Sequence, residues 1–173
     1  MELRPVLVAG EVTVRPGAAG EVERLRAILA EATVVRWWGP PPPVEEIHGD
    51  LLGDTGTVLL VVTVAGEVAG GIQYSEETDP RYRHAGIDIF LGDRFQDRGT
   101  GTAAVALLAR FLVGARGHHR LTIDPAADNA RAIRCYAKVG FRRVGILRQY
   151  EIGPDGVPHD GVLMDLLRDE LAT

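Results

Sequence analysis

Gln96-Asp97-Arg98-Gly99-Thr100-Gly101-Thr102 joins two apolar runs of different character. Before it lies a strand-like run, Gly86 to Leu91, and after it a helix-like run, Ala103 to Val113. Glycines at 99 and 101 remove the Cβ atoms that would hold a ligand away from the backbone. The first amides of the helix have no intrahelical acceptor and carry the positive end of its dipole, so the junction suits a phosphate or pyrophosphate. A glycine pair ahead of a helix is also ordinary turn chemistry, and this stretch alone does not separate the two readings.

Working outward, a strand is expected at Glu11 to Arg15, closed by Pro16-Gly17, then an amphipathic helix from Gly20 to Ala30 with Val22, Leu25, Ile28 and Leu29 on one face. Trp37 to Pro43 reads as a loop, since the four prolines at 40 to 43 are incompatible with a helix, and a short helix follows at Val44 to Leu52. Thr57 to Ala65 and Glu67 to Tyr74 read as a hairpin, with an acidic loop before the strand Gly86 to Leu91. The remaining order is helix Thr100 to Val113, strand Arg120 to Asp124, helix Asn129 to Val139, then strands Arg143 to Ile152 and Val162 to Leu167. An antiparallel hairpin followed by strand, helix, strand, helix, strand predicts an α/β fold: one mixed sheet with helices on both faces.

The 173 residues suit a single domain, residues 1–173, and 46% hydrophobic with 25% charged residues is ordinary globular usage. A net charge of −5 without a basic stripe argues against nucleic acid and favours a cationic ligand. The lone Cys135 excludes an internal disulfide and suits a reducing, cytoplasmic setting; neither a signal-peptide core nor a membrane-length apolar run is present. His118 and His119 lack metal-ligand spacing and read as surface residues before a strand, so no metal is expected.

Together with Asn129-Ala130-Arg131-Ala132-Ile133-Arg134-Cys135-Tyr136-Ala137-Lys138-Val139-Gly140-Phe141, the glycine loop resembles the acyl-coenzyme A signature of the GCN5-related N-acetyltransferases (GNAT), Gln-x-x-Gly-x-Gly followed by Asn-x-x-Ala-x-x-x-Tyr-x-Lys-x-Gly-Phe. Trp37-Trp38-Gly39, Glu76-Glu77-Thr78-Asp79-Pro80, Gly86-Ile87-Asp88, Asp124-Pro125 and Pro154-Asp155-Gly156 narrow the likeness to aminoglycoside 6'-N-acetyltransferases. The resemblance implies a splayed GNAT sheet and acetyl-CoA as cosubstrate. It implies that Gln96, Asp97, Arg98, Gly99, Thr100, Gly101 and Thr102 bind the cofactor, with Ile89, Phe90 and Leu91 along its pantetheine arm and Asn129, Ala132 and Tyr136 beside it.

Acetyl transfer to an amine needs a neutral nucleophile, stabilisation of an oxyanion and a proton for the departing thiolate. Asp88 sits among apolar neighbours and is either a partner-satisfied structural carboxylate or the base and anchor for the acceptor ammonium; the family match selects the latter. Tyr136, by spacing alone, fits a packed helix tyrosine, and by resemblance a general acid. Asn129 can start a helix, hold the pantetheine, or do both. The oxyanion donor is expected to be a backbone N–H near Ile89 or Phe90.

Acceptor recognition is assigned to Trp38, Glu76, Glu77, Asp79, Asp88, Asp124, Asp155 and Asp160. Trp38 can stack on a sugar or merely pack a loop, and an acidic loop can be a plain solvated face. Asp124 has more support, because it lies just past a strand's C-terminal end, where α/β sheets place ligand contacts. The segment before Glu76 is shorter than in the aminoglycoside enzymes and lacks a second Trp pair, whereas Gly145 to His159 is longer. The expected acceptor is a small cationic amine such as an aminoglycoside. Alternatives are a siderophore hydroxylamine, a lysine-like metabolite, a protein N-terminus, or ligand sequestration without catalysis. The expected assembly is a monomer or homodimer, without nucleic acid or membrane.

Overall fold

The computed structural model describes residues 5–171. Eight strands form one sheet in the order β1-β2-β3-β4-β5-β6-β8-β7. These are β1 (Leu7–Ala9), β2 (Val12–Pro16), β3 (Thr57–Val64), β4 (Glu67–Glu77), β5 (His84–Leu91), β6 (Arg120–Ile123), β7 (Arg142–Ile152) and β8 (Pro158–Leu167). All neighbouring pairs run antiparallel except β5 and β6, which are parallel. The helices are α1 (Val22–Leu29), α2 (Ala32–Trp38), α3 (Val44–Leu52), α4 (Thr100–Gly114) and α5 (Ala130–Val139). The expected mixed α/β architecture is thus present.

The interior strand β3 shows why two cores form. Its sequence, Thr-Val-Leu-Leu-Val-Val-Thr-Val, is apolar on both faces. Val58, Leu60 and Val62 pack with Val105, Leu108 and Leu112 of α4, while Leu59 and Val61 pack with Leu25 and Ile28 of α1 and Ile47 of α3. Period-2 alternation thereby feeds both layers, and each fully buried aliphatic side chain contributes about 1.5–3 kcal/mol. In β5 the same alternation sends Ile87 to the α4 side and Phe90 to the α1 side, where Phe90 meets Trp38 edge-on with ring centroids 5.2 Å apart. Gly71 makes room for that ring: a Cβ there would come within 2.7 Å of Phe90 Cε1.

Several expectations are corrected. The two tryptophans are not in a loop, because α2 carries both and ends at Gly39, whose φ is +75°. The run Thr33-Val34-Val35 is β-branched and intrinsically poor helix material. Its short helix is held by its surroundings: Glu31 Oε2 accepts from the Asp93 N–H at 2.6 Å, and Thr33 hydrogen-bonds Asp93. The acidic stretch is only partly loop, since β4 continues through Glu77, and β5 begins at His84. β1 was not anticipated, and β8 starts four residues earlier than expected. His118 is not a surface residue but fully buried, its ring Nε2 against Glu76 Oε1 at 2.5 Å.

Candidate active site

The parallel pair β5 and β6 is short. Only Ala85↔Leu121 and Gly86↔Thr122 are in register, after which the strands diverge and a cleft of about 580 Å³ opens between them. From Ile87 to Leu91 the side of β5 that faced β6 has no strand partner among the described residues, so an extended ligand can add there by main-chain hydrogen bonds.

One end of the cleft is built for anions. Gly99 precedes α4 with φ +81°, and no side chain caps the helix, leaving its first amides open. A Cβ on Gly99 would meet no protein atom within 4 Å; one on Gly101 would lie 3.3 Å from Cys135 Sγ. Arg131, Arg134 and Lys138 of α5 line the same region. Gln96 braces it: Nε2 donates to the Leu91 carbonyl at 2.7 Å and to Thr33 Oγ1 at 3.2 Å, and Arg131 donates to its Oε1. Asn129 caps α5, its Oδ1 accepting the Ala132 N–H at 3.2 Å, so its helix-start role is present.

The other end is acidic. Asp88, Asp124 and Glu151 line it with Tyr136, Tyr150 and Trp38. Solvent reaches Asp88 through the cleft, yet protein surrounds it otherwise; this burial, with the nearby charges of Asp124 and Glu151, pushes its pKa up to about 6, against the pull of a hydrogen bond from Gln73. The Tyr136 hydroxyl is buried, and burial, followed by the Cys135 and Asp88 charges, raises its pKa far above the ordinary tyrosine value. It therefore keeps its proton at any working pH. Asp124 is fixed because the following segment is tied to β8: Val162 N–H donates to the Pro125 carbonyl at 2.8 Å, and Ala127 N–H to the Asp160 carbonyl at 2.8 Å.

Of the residues expected to form the site, the cleft gathers Trp38, Asp88, Ile89, Phe90, Leu91, Gln96, Asp97, Gly99, Gly101, Thr102, Asp124, Asn129, Ala132 and Tyr136. Arg98 and Thr100 instead border a separate depression beside β2, Thr100 being buried. Glu77 lies with Asp88 and Asp124 along a smaller polar groove. Glu76 borders that groove too, but its carboxylate is engaged by Arg116, at 3.1 Å from Nε, and by His118. Asp79 accepts the Arg81 N–H, and Asp155 accepts the Val157 N–H and pairs with His159 at the hairpin tip. Asp160 accepts the Gln149 N–H, outside the cleft lining. Tyr150, Glu151, Thr33, Trp37 and Arg131 enter the lining without having been anticipated. Arg131 was within reach of sequence reasoning, two residues past the capping Asn129; Tyr150 and Glu151 arrive through a strand irregularity that no motif marks.

Among the described residues no His, Cys, Asp or Glu cluster is arranged to hold a metal, and no helix is long and apolar enough to cross a membrane. The model of the acetyltransferase (GNAT) family matches residues 22–141, which include β5, the glycine loop and α5. The chain belongs to this family. A GNAT relative, aminoglycoside N(6')-acetyltransferase type 1 of Klebsiella pneumoniae, is 30% identical over 164 residues, covering 84% of this chain and 79% of that protein. The L-amino acid N-acetyltransferase AaaT of Escherichia coli (strain K12) is 26% identical over 145 residues, covering 82% and 90%. Among solved GNAT structures, an aminoglycoside acetyltransferase in complex with coenzyme A superposes with TM-score 0.75 at 28% identity, covering 92% of this chain and 96% of that one. As a GNAT acetyltransferase, the chain has a cleft whose features fit the family's usual cosubstrate, acetyl-CoA: open α4 amides for a pyrophosphate, an unpaired strand edge for the pantetheine and a buried hydroxyl nearby.

Proposed function

We propose that this chain is an aminoglycoside 6'-N-acetyltransferase using acetyl-CoA. The observation carrying this reading is the division of one cleft into a cationic end, with Arg131, Arg134 and Lys138, and an anionic end, with Asp88, Asp124 and Glu151. A polyanionic cosubstrate and a polycationic acceptor would enter opposite ends. The relatives that acetylate aminoglycosides support the same choice.

Acetyl-CoA, when bound, supplies a thioester-activated acetyl group and leaves as the thiol. The amides of Gly99 to Thr102 would hold the pyrophosphate, and a backbone N–H near Ile89 or Phe90 would donate to the acetyl carbonyl oxygen. Asp88 draws a proton from the acceptor ammonium, directly or through a water, and Tyr136 holds its proton at Oη for the departing sulfur. Asp124 and Glu151 hold ammonium groups remote from the reacting amine. The reaction would take place in the cytoplasm.

A thiol-release assay with acetyl-CoA against kanamycin, other aminoglycosides and simple amines tests the reading. Turnover of aminoglycosides is expected, and Tyr136→Phe should lower kcat by about 10²-fold or less with little change in acceptor KM. Wild-type kcat in that variant would return Tyr136 to a packing role. Activity confined to amino acids would favour the second reading, suggested by the amino acid acetyltransferase relative.

A further inference from the structure

Tyr150 reaches Asp124 by an irregularity in β7. Its hydroxyl donates to Asp124 Oδ2 at 2.5 Å. The β7–β8 register runs to Leu147↔Gly161 and resumes at Glu151↔His159, so residues 148–150 oppose Asp160 alone. This is an enlarged bulge, a device that re-aims side chains. Within it Gln149 has φ +50°, a left-handed conformation that costs about 1 kcal/mol or more in a residue with a Cβ. Its N–H donates to Asp160 Oδ1 at 2.7 Å, which offsets that cost. Gly161 lies beneath the tyrosine, where a Cβ would sit 3.0 Å from Tyr150 Cδ1. Asp160, the Gln149 backbone and the missing side chain at 161 thus converge on one result: Tyr150 is held at Asp124 while Glu151, the next residue, lines the same cleft.

We propose that Tyr150 is a positioning residue for polycationic acceptors, orienting Asp124 through the hydrogen bond to Oδ2 so that its other oxygen is ready for an ammonium remote from the reacting amine. The inference deepens the aminoglycoside reading and rests on it. A carboxylate has about four lone-pair sites, so one hydroxyl leaves room for an ammonium. The hydroxyl also removes rotational freedom that Asp124 would otherwise lose on binding. Asp160 then acts at one further remove, by holding the bulge rather than by touching the acceptor.

Steady-state kinetics of the wild type, Tyr150→Phe, Asp124→Asn and the double variant test this. The acceptors are kanamycin and 6-amino-6-deoxyglucose, a sugar monoamine that offers one amine and no second ammonium. Tyr150→Phe should raise the kanamycin KM by about 5- to 10-fold, the worth of one ordinary hydrogen bond, while kcat and the acetyl-CoA KM stay within about twofold. The monoamine KM should not move; if the monoamine is not turned over, the acetyl-CoA KM is the internal control. Because Tyr150 works through Asp124, the double variant should be no worse than Asp124→Asn. Gly161→Ala, whose Cβ would press on the ring at Cδ1 while leaving the hydroxyl in place, should raise the kanamycin KM in the same direction and by less. An unchanged kanamycin KM in a Tyr150→Phe protein with wild-type Tm, equal rises for both acceptors, or additive losses in the double variant would overturn the inference. A wild-type chain that turns over neither kanamycin nor the monoamine removes the aminoglycoside reading, and the inference with it.

Discussion

Asp88 illustrates how one carboxylate is made basic near neutrality. Burial and the repulsion of Asp124 and Glu151 favour its neutral form and bring its pKa to about 6. The proposed base must be deprotonated to act, so kcat/KM should fall as pH drops through about 6 and level off above it. Asp88→Asn keeps the shape and removes the basicity, and should lower kcat/KM by about 10²-fold or more at neutral pH. Asp124→Asn removes one of the repelling charges, so the acid limb of its pH profile should shift downward while the plateau survives for a monoamine. Profiles of the three proteins check both statements, and full activity of Asp88→Asn on every acceptor would reassign the base.

The glycine loop and α4 work as one element, and two glycines serve it differently. Gly99 supplies a positive φ and an open approach to the amides; Gly101 permits α4 to pack within reach of Cys135 and Leu91 of the neighbouring elements. Gly99→Ala should therefore cost about 1 kcal/mol of stability from the left-handed backbone and raise the acetyl-CoA KM, since a methyl group would stand where protein atoms are absent. Calorimetry and KM measurements on the folded variant separate the two effects. An unaltered acetyl-CoA KM would place the pyrophosphate elsewhere.

Across the whole molecule, Glu76 ties the end of β4 to the segment after α4 through Arg116 and the buried His118. Burial acts to raise the Glu76 pKa, but the hydrogen bonds from Arg116 and His118 outweigh it and leave it below the ordinary value. A depressed carboxylate contributes stability above its unfolded pKa, and this is lost as pH falls through the folded value. Glu76→Gln should thus destabilise by about 2 kcal/mol near neutrality, because the charge-assisted bonds are lost around a buried imidazole. It should also flatten the acid limb of Tm against pH. If acceptor KM rises while Tm is unchanged, Glu76 belongs to acceptor binding instead.

Local pattern made much of this protein legible: strand alternation at Gly86 to Leu91, helical periodicity at Ala103 to Val113, and a glycine-bearing loop between them. Asp88 lies in the first of these runs and Tyr136 in the later Asn129 to Phe141 segment, and the motif residues around each singled it out. Folding alone decided which carboxylates share the cleft. Glu76 looked like its neighbour Glu77, but Arg116 and the buried His118, 40 and 42 residues away, claim it. Asp160 looked like an acceptor ligand, and the structure places it at the β7 bulge, where Oδ1 accepts the Gln149 N–H outside the cleft lining. Tyr150 and Glu151 were silent in the sequence, since a change of register between β7 and β8 has no local signature. Whether a side chain is free for a ligand depends on which partner reaches it first, and those partners come from distant parts of the chain.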